Sequence, residues 1–452
     1  MTKMIVEEIP GLGPEGAYIV LKALGNAFII RNPRGPGYSF VGAGPRRVIR
    51  TENGVTSVDG RPGAYADPFE AITAVLEEEA RTVADGTFPF NGGMAAYFSY
   101  DLKDLIEPGR GFKRTDRPGI PDCIAGLYDH VFAYDHGKEK GFLVSSSCEK
   151  NGYEEFRRML IAGARAVPGR NVERARRMRS EVLVEEYVKA VVRAKEYIRA
   201  GDIYQINLSQ RLSFEWTGDP LALFLLLSER HPAPYAALMD FGSFQIVSNS
   251  PECLLRVEGG VAQTRPIKGT RRRGNSADED AGLIRELKSS AKEASEHVMI
   301  VDLERNDLGG ISVPGTVEVS SFAEVESYPH LHHMVSTVGG RLKDGIGPAA
   351  ALKAMFPGGS ITGAPKIRAM EIIDELETSR RSVYTGGIGW FDLNGGAEVS
   401  IAIRTAICMD GALHLSVGGG IVADSDPMDE YRETMLKARD FLDALGLKEG
   451  TE

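Results

Sequence analysis

The run Gly201-Asp202-Ile203-Tyr204-Gln205-Ile206-Asn207-Leu208-Ser209-Gln210-Arg211-Leu212-Ser213-Phe214 carries a two-residue rhythm. Tyr204, Ile206, Leu208, Leu212 and Phe214 alternate with Gln205, Asn207, Ser209, Arg211 and Ser213. Successive strand side chains point to opposite faces, so the spacing predicts a strand with one apolar face and one face able to line a polar site. Just upstream the rhythm becomes helical, through Val184, Tyr187, Val188, Val191 and Ile198, and Gly201-Asp202 supplies the stop. Further out, Ala17-Tyr18-Ile19-Val20-Leu21 and Gly126 to Tyr134 read as strands, while Pro68 to Val83 has helical periodicity. Strands and helices mixed in this way predict an α+β fold, and the lack of a fixed repeat argues against solenoids and propellers.

At 452 residues the chain exceeds the size at which one compact core usually stops growing, so two domains or one large domain with an extension are expected. Hydrophobic residues at 42% and charged residues at 26% match ordinary globular proteins, and no apolar run is long enough to span a bilayer. Met1 to Glu8 lacks the regions of a secretory signal, so a cytoplasmic location is expected. Cys123, Cys148, Cys253 and Cys408 are scattered without a CxxC pair, which argues against disulfides and zinc and for small core residues. A net charge of −10 disfavours a general grip on nucleic acid, and a small anionic substrate would need a locally basic pocket. From Ala164 to Ser180 the chain is arginine-rich and interrupted by Pro168-Gly169, the pattern of a solvated linker.

Two nucleotide-like strings lack their context. Gly11-Leu12-Gly13-Pro14-Glu15-Gly16 matches GxGxxG but shows neither a buried strand before it nor a helix after it, so a turn is expected. In Gly358 to Lys366 the lysine stands three residues past the glycine with no Ser/Thr after it, which is not a P-loop.

Other segments can carry chemistry. Glu293 with Glu296, and Glu430 with Glu433, put carboxylates on one helical face at i, i+3, a donor set that suits magnesium or, equally, plain solvation. Asp426 can cap the second helix, with Pro427 at its first position. Gly418-Gly419-Gly420, just before it, can bring backbone N–H groups close to an anion or make a tight turn. Lys268, in Pro266-Ile267-Lys268-Gly269-Thr270, is flanked by Arg265 and Arg271-Arg272-Arg273, and crowding by guanidinium groups favours a neutral, nucleophilic amine. His333 is a candidate for proton transfer or a satisfied structural histidine, and Arg404, interrupting the apolar run Val399 to Ala406 that reads as one strand, needs a carboxylate from the protein or a ligand.

Gly201 to Leu208, Ser250-Pro251-Glu252, Pro266 to Thr270, Glu296-His297, Gly386-Gly387-Ile388-Gly389 and Gly420-Ile421-Val422-Ala423-Asp424-Ser425 together resemble, in order, the chorismate-utilising family. That family includes the component I chains of anthranilate and aminodeoxychorismate synthases, and isochorismate and salicylate synthases. Tyr38 to Gly42, Phe90 to Gly93 and Tyr97 to Asp101 resemble its N-terminal region. The resemblance implies an α+β fold of two face-packed antiparallel β-sheets with helices outside. It divides the chain into an N-terminal region at 1–165, a basic linker at 166–182 and a chorismate-binding catalytic domain at 183–447.

The resemblance further implies Mg2+ held by Glu296 and Glu433, with Glu293 and Glu430 acting through water, and substrate contacts from Gly269, Thr270, Tyr384, Arg404, Gly418, Gly419, Gly420 and Lys437. Glu252 corresponds to the acid that protonates the departing C4 hydroxyl, and His333 to a histidine near the ring. Within the family a lysine at position 268 marks the aminodeoxychorismate branch, where other members carry alanine; Gln205 excludes the lysine used by the water-adding branches. The implied reaction converts chorismate and ammonia to 4-amino-4-deoxychorismate for 4-aminobenzoate and folate synthesis, with anthranilate formation as the alternative. No segment resembles a glutamine amidotransferase, so a separate amidotransferase subunit is the expected ammonia source. Ile29-Ile30-Arg31-Asn32 departs from the Leu-Leu-Glu-Ser of tryptophan-inhibited members, although Pro234-Tyr235 matches the other side of that pocket.

Overall fold

The alternating run forms the strand Gln205–Glu215, and both of its faces are covered. It lies near one end of a 12-stranded sheet, between Ala412–Ile421 and Arg176–Ser180. A second 12-stranded sheet runs from Ile267–Arg272 at one end to Arg61–Pro62 at the other. The strand ladders are antiparallel throughout. The structure, a computed structural model, describes residues 4–33, 37–79, 87–110, 112, 119–146, 150–164, 166–328 and 331–447.

The sheets pack face to face over an aromatic seam drawn from both: Phe28, Phe40 and Ala237 from one, Tyr97, Ile388 and Trp390 from the other. Each outer face is covered by helices. Pro14–Leu21, Pro220–Arg230 and Pro427–Ala444 pack on the first sheet, and Pro68–Glu79, Pro348–Met355 and part of Ala291–Ile311 on the second. This is the expected α+β sandwich. Among the described residues no helix is long and apolar enough to cross a membrane.

Local chemistry sets the helix ends that matter for the site. Val184–Ala200 stops at Gly201, which takes a left-handed φ of 82° and returns its N–H to the Ile198 and Tyr197 carbonyls. The Asp426 side chain accepts from the Met428 and Asp429 N–H groups at the start of Pro427–Ala444, as its sequence predicts. Ser290 caps Ala291–Ile311 in the same way.

The two sequence regions share both sheets. Ala27–Asn32 pairs with Tyr235–Asp240, and Gly93–Phe98 pairs with Gly387–Asp392, so residues 1–165 and 183–447 are hydrogen-bonded into the same layers. Within the basic segment, Arg176–Ser180 is an edge strand on Gln205–Glu215 rather than a free linker. An edge strand with one bonded side tolerates arginines facing solvent.

Three local expectations change. Pro14–Leu21 is a helix, whereas Ala17 to Leu21 reads as a strand. Its buried positions Pro14, Ala17, Tyr18 and Leu21 follow helical spacing, but an all-apolar window of five residues shows no period by itself. The Gly11 string therefore does have a strand before it, Ile5–Ile9, and a helix after it. That strand is an antiparallel edge strand and its outward residues are exposed, so the buried parallel context of a dinucleotide site is missing. Finally, Val399 to Ala406 is not one strand: Ala397–Ile401 and Thr405–Met409 belong to different sheets, and Arg404 lies at the corner between them with φ of 49°. Cys123, Cys253 and Cys408 are buried and unbridged, as expected; Cys148 lies outside the described residues.

Candidate active site

Gly418-Gly419-Gly420 is strand rather than turn. The three glycines face Ser209, Leu208 and Asn207 across the ladder. At Gly418 a Cβ would stand 2.6 Å from the Leu208 carbonyl and 2.7 Å from the Tyr384 hydroxyl. At Gly419 it would stand 3.5 Å from Glu430 Oε2, 3.7 Å from Lys437 Nζ and 3.8 Å from Glu433 Oε1. At Gly420 it would stand 2.7 Å from Gln205 Nε2 and 3.5 Å from Lys268 Nζ. The absence of side chains on this strand thus leaves a bare floor, open beside Tyr384, Gln205 and Lys268 at Gly418 and Gly420 and, on the opposite face, beside Lys437, Glu430 and Glu433 at Gly419; backbone N–H groups there can meet an anion.

Lys268 sits half-buried on Ile267–Arg272, next to Gly269, whose φ is 80° and whose missing Cβ would lie 2.9 Å from Glu293 Oε2. The arginines beside it in sequence do not crowd it. Arg265 pairs with Glu326, Arg271 with Glu286 and Glu293, Arg272 with Glu279 and Arg273 with Asp280. Strand alternation turns each guanidinium toward a carboxylate of a neighbouring element, so crowding by arginines is not what surrounds Lys268. The titratable groups it faces are Glu252 and the ring of His297, which burial and Lys268 push down to about 4.

Glu252 is 5% exposed. The Ser360 hydroxyl donates to its Oε1 at 2.7 Å and the Ile267 N–H at 3.4 Å. Burial pushes its pKa up, and Ser360, Lys268, the Ile267 N–H and Lys437 only partly oppose this. Such a carboxyl holds its proton where exposed ones have lost theirs, as a general acid must.

His333 and Arg404 share one wall. They line a cavity of about 200 Å³ together with Tyr328, Leu331, Pro251 and Asp440. Arg404 donates to Asp440 Oδ2 at 3.0 Å, the internal carboxylate its burial calls for. His333 is pushed down to about 4, first by burial and then by Arg404 and His332, so its imidazole is neutral near pH 7. Its Nδ1 is hydrogen-bonded to Thr270 Oγ1 at 2.9 Å, which fixes the ring against the lysine strand.

The four glutamates lie on two helices, one packed on the glycine strand and the other on the lysine strand. Glu293 and Glu296 belong to Ala291–Ile311, Glu430 and Glu433 to Pro427–Ala444. Glu293 accepts from Arg271, Glu430 Oε1 accepts from Ser425 at 2.6 Å, Glu433 pairs with Lys437 at 2.8 Å, and Glu296 is half-buried. Among the described residues no three His, Cys, Asp or Glu side chains gather tightly enough to cage an ion by themselves. Magnesium does not need a cage: it keeps several waters and takes one or two carboxylates plus ligand oxygens. The carboxylates beside the glycine floor fit that requirement, since Glu430 and Glu433 oxygens stand 3.5 and 3.8 Å from the space above Gly419.

Two residues of the predicted polar face, and one that the sequence reading leaves aside, help build the site. Asn207 and Gln205 are buried with Oδ1 and Oε1 lacking a hydrogen-bond partner, on the strand face expected to be polar. Arg381, 4% exposed, donates to the Asn207 and Ile361 carbonyls and to Glu377, and stacks between Tyr100 and Tyr384. Its nearness in sequence to Tyr384 is the only signal that could have pointed to it.

Away from the cleft, the space bounded by Ile30, Arg31, Tyr235, Trp390 and Glu398 is closed to about 10 Å³. Asn32 donates to Glu398, which also accepts from Arg256.

The chain matches the model of a chorismate binding enzyme over residues 25–443. It is 40% identical to anthranilate synthase component 1 of Thermus thermophilus over 420 residues, covering 91% of this chain and 90% of that one. It is 37% identical to aminodeoxychorismate synthase component 1 of Bacillus subtilis over 436 residues, covering 93% and 92%. Its fold superposes on the crystal structure of anthranilate synthase component I from Streptococcus pneumoniae with a TM-score of 0.80 at 34% identity, over 89% of this chain and 91% of that one.

Proposed function

Since the chain belongs to the chorismate binding enzymes, we propose that it is an aminodeoxychorismate synthase component I, which aminates chorismate at C4 through covalent catalysis by Lys268. The observation that carries this reading is the aim of Lys268. Its Nζ stands 3.5 Å from the open Cβ position of Gly420, with the buried acid Glu252 facing it.

In this reading the Lys268 amine, once it has given its extra proton to solvent, adds to ring carbon C2 and the two ring double bonds shift. The C4–O bond breaks, and the Glu252 carboxyl gives its proton to the departing oxygen, which leaves as water. Ammonia then adds at C4, the double bonds shift back, and the C2–N bond breaks to release the lysine amine. Arg404 and Lys437 answer the substrate carboxylates, Tyr384 and the glycine floor hold the ring, and neutral His333 hydrogen-bonds without adding charge. Magnesium, when bound, would be held by Glu296 and Glu433 directly and by Glu293 and Glu430 through water, and would anchor the ring carboxylate. Ammonia would come from a separate glutamine amidotransferase subunit, in a cytoplasmic enzyme serving 4-aminobenzoate and folate synthesis.

Anthranilate formation is the second reading, favoured by the names of relatives such as the Thermus and Pseudomonas chains. Incubation with chorismate, magnesium and an ammonium salt separates the two. The proposal expects a product that the downstream lyase converts to 4-aminobenzoate, and fluorescent anthranilate as the main product overturns it.

A further inference from the structure

The Ala291–Ile311 helix carries a carboxylate that the mechanism above does not use. Glu304 lies about two turns beyond Glu296-His297 and is 2% exposed. One of its oxygens accepts from the Gly359 N–H, and a Cβ at Gly359 would meet Leu303 Cδ2 at 2.5 Å as well as Glu304 Oε1 at 3.1 Å. The other oxygen, Oε2, is buried without a hydrogen-bond partner. The next residue along, Ser360, donates to Glu252 at 2.7 Å. Two buried carboxyls thus sit on either side of the Gly359-Ser360 turn.

Its helix neighbours Leu303 and Asp307, though not Glu304 itself, reach an open cleft. Asp307, one turn on, pairs with Lys366, and both line an open cleft of about 860 Å³ with Leu303, Tyr204 and Met370. That cleft shares none of its wall with Lys268, Glu252 or the three glycines. The charged groups facing Glu304 are Asp307, Lys366 and Glu252; those facing Glu252 are Lys268 and Lys437. Burial, Asp307 and Glu252 together push Glu304 up to about 8, so it is a neutral acid near pH 7.

We propose that Glu304 is a positioning residue for the reaction, a second buried acid that keeps Glu252 protonated and returns a proton to it from the side of Asp307 after each turnover. This rests on the chorismate-aminating reading of the site. Neutral ammonia enters, the hydroxyl leaves as water with the Glu252 proton, and the product departs as an ammonium ion. Glu252 is left as a carboxylate, short of one proton per turnover. The Glu304 O–H bond breaks, an O–H bond forms on Glu252 across the Gly359-Ser360 turn, and water on the side of Asp307 reprotonates Glu304. Two carboxyls that feel each other's charge titrate as a pair, and the pair holds its last proton to a higher pH than Glu252 alone would.

The test compares wild type with Glu304→Gln, which keeps the acceptor for Gly359 and loses the proton. Chorismate consumption with magnesium and ammonium is followed against pH, whichever amine is formed. The alkaline limb of kcat is expected to move down by about one unit, a roughly ten-fold loss on that limb, with KM for chorismate unchanged. Superimposable profiles, or a change confined to KM, overturn the proposal. Infrared titration provides a readout that needs no turnover. A protonated-carboxyl C=O band titrating near pH 8 is expected in wild type, absent in Glu304→Gln, and shifted to lower pH in Glu252→Gln. Its absence from wild type, or its failure to move in Glu252→Gln, also overturns the proposal, and the identity of the product tests the functional reading separately.

Discussion

The sheets meet in two places with opposite outcomes. Along the seam, Phe28, Phe40, Phe90, Tyr97 and Trp390 fill the space between them, and near Trp390 only about 10 Å³ is left. Toward the other end, Gly418, Gly419 and Gly420 withhold three side chains in a row, and charged groups from one helix and one strand, Glu430, Glu433, Lys437 and Lys268, stand beside the space they leave. Both regions are antiparallel strand with the same backbone chemistry. Side-chain volume alone decides which becomes core and which becomes a site.

That contrast can be broken from either side. Lys268→Ala removes the proposed nucleophile without touching the seam. C4 amination is expected to fall by about 10³-fold or more, with the melting temperature unchanged, as product analysis and calorimetry would report. Trp390→Ala does the reverse: opening the seam is expected to cost about 3–5 kcal/mol in urea unfolding, while kcat of the folded protein at low temperature stays near wild type. Gly418→Ala puts a methyl group where the cleft needs none, 2.6 Å from the Leu208 carbonyl and 2.7 Å from the Tyr384 hydroxyl. Stability should drop by up to about 3 kcal/mol, and chorismate KM should rise even in molecules that fold.

Acid sharpens the comparison further. His333 is held down to about 4, below its ordinary value near 6.5, so the unfolded chain binds more protons between those values. Stability is therefore complete above about 6.5 and lost as pH falls toward 4, by about 2 kcal/mol on reaching pH 5. Urea titrations should show that slope, and His333→Gln should flatten it. The smallest effect belongs to the closed seam. With about 10 Å³ remaining and Glu398 engaged by Asn32 and Arg256, added tryptophan is expected to change neither turnover nor melting temperature. A saturable tryptophan inhibition curve would show that the seam opens.

Much of the cleft was legible in advance because its parts are short and local. The Asp426 cap, the Gly201 stop and the glutamates at i, i+3 depend on neighbours within one or two turns, and all appear where their spacing predicts. Lys268 and the glycines were singled out by their own pattern and Glu252 by family resemblance, and the geometry sets Lys268 Nζ 3.5 Å from the open position at Gly420 with Glu252 facing that lysine. What misled were segments whose pattern carries no direction. Ala17 to Leu21 is apolar at every position and so has no period, and Val399 to Ala406 hides a change of sheet at Arg404.

The sequence by itself determined the alternation of strand faces, the helix ends and the kinds of groups available for chemistry, because each follows from a residue and its near neighbours. Only the tertiary structure decided what those groups face. It gave each arginine near Lys268 a carboxylate partner, set Asp440 against Arg404 and put Glu304 behind Glu252, in pairings separated by up to 61 residues in the chain. The physical reason is that charge and burial depend on distance in space, and long-range strand pairing sets that distance.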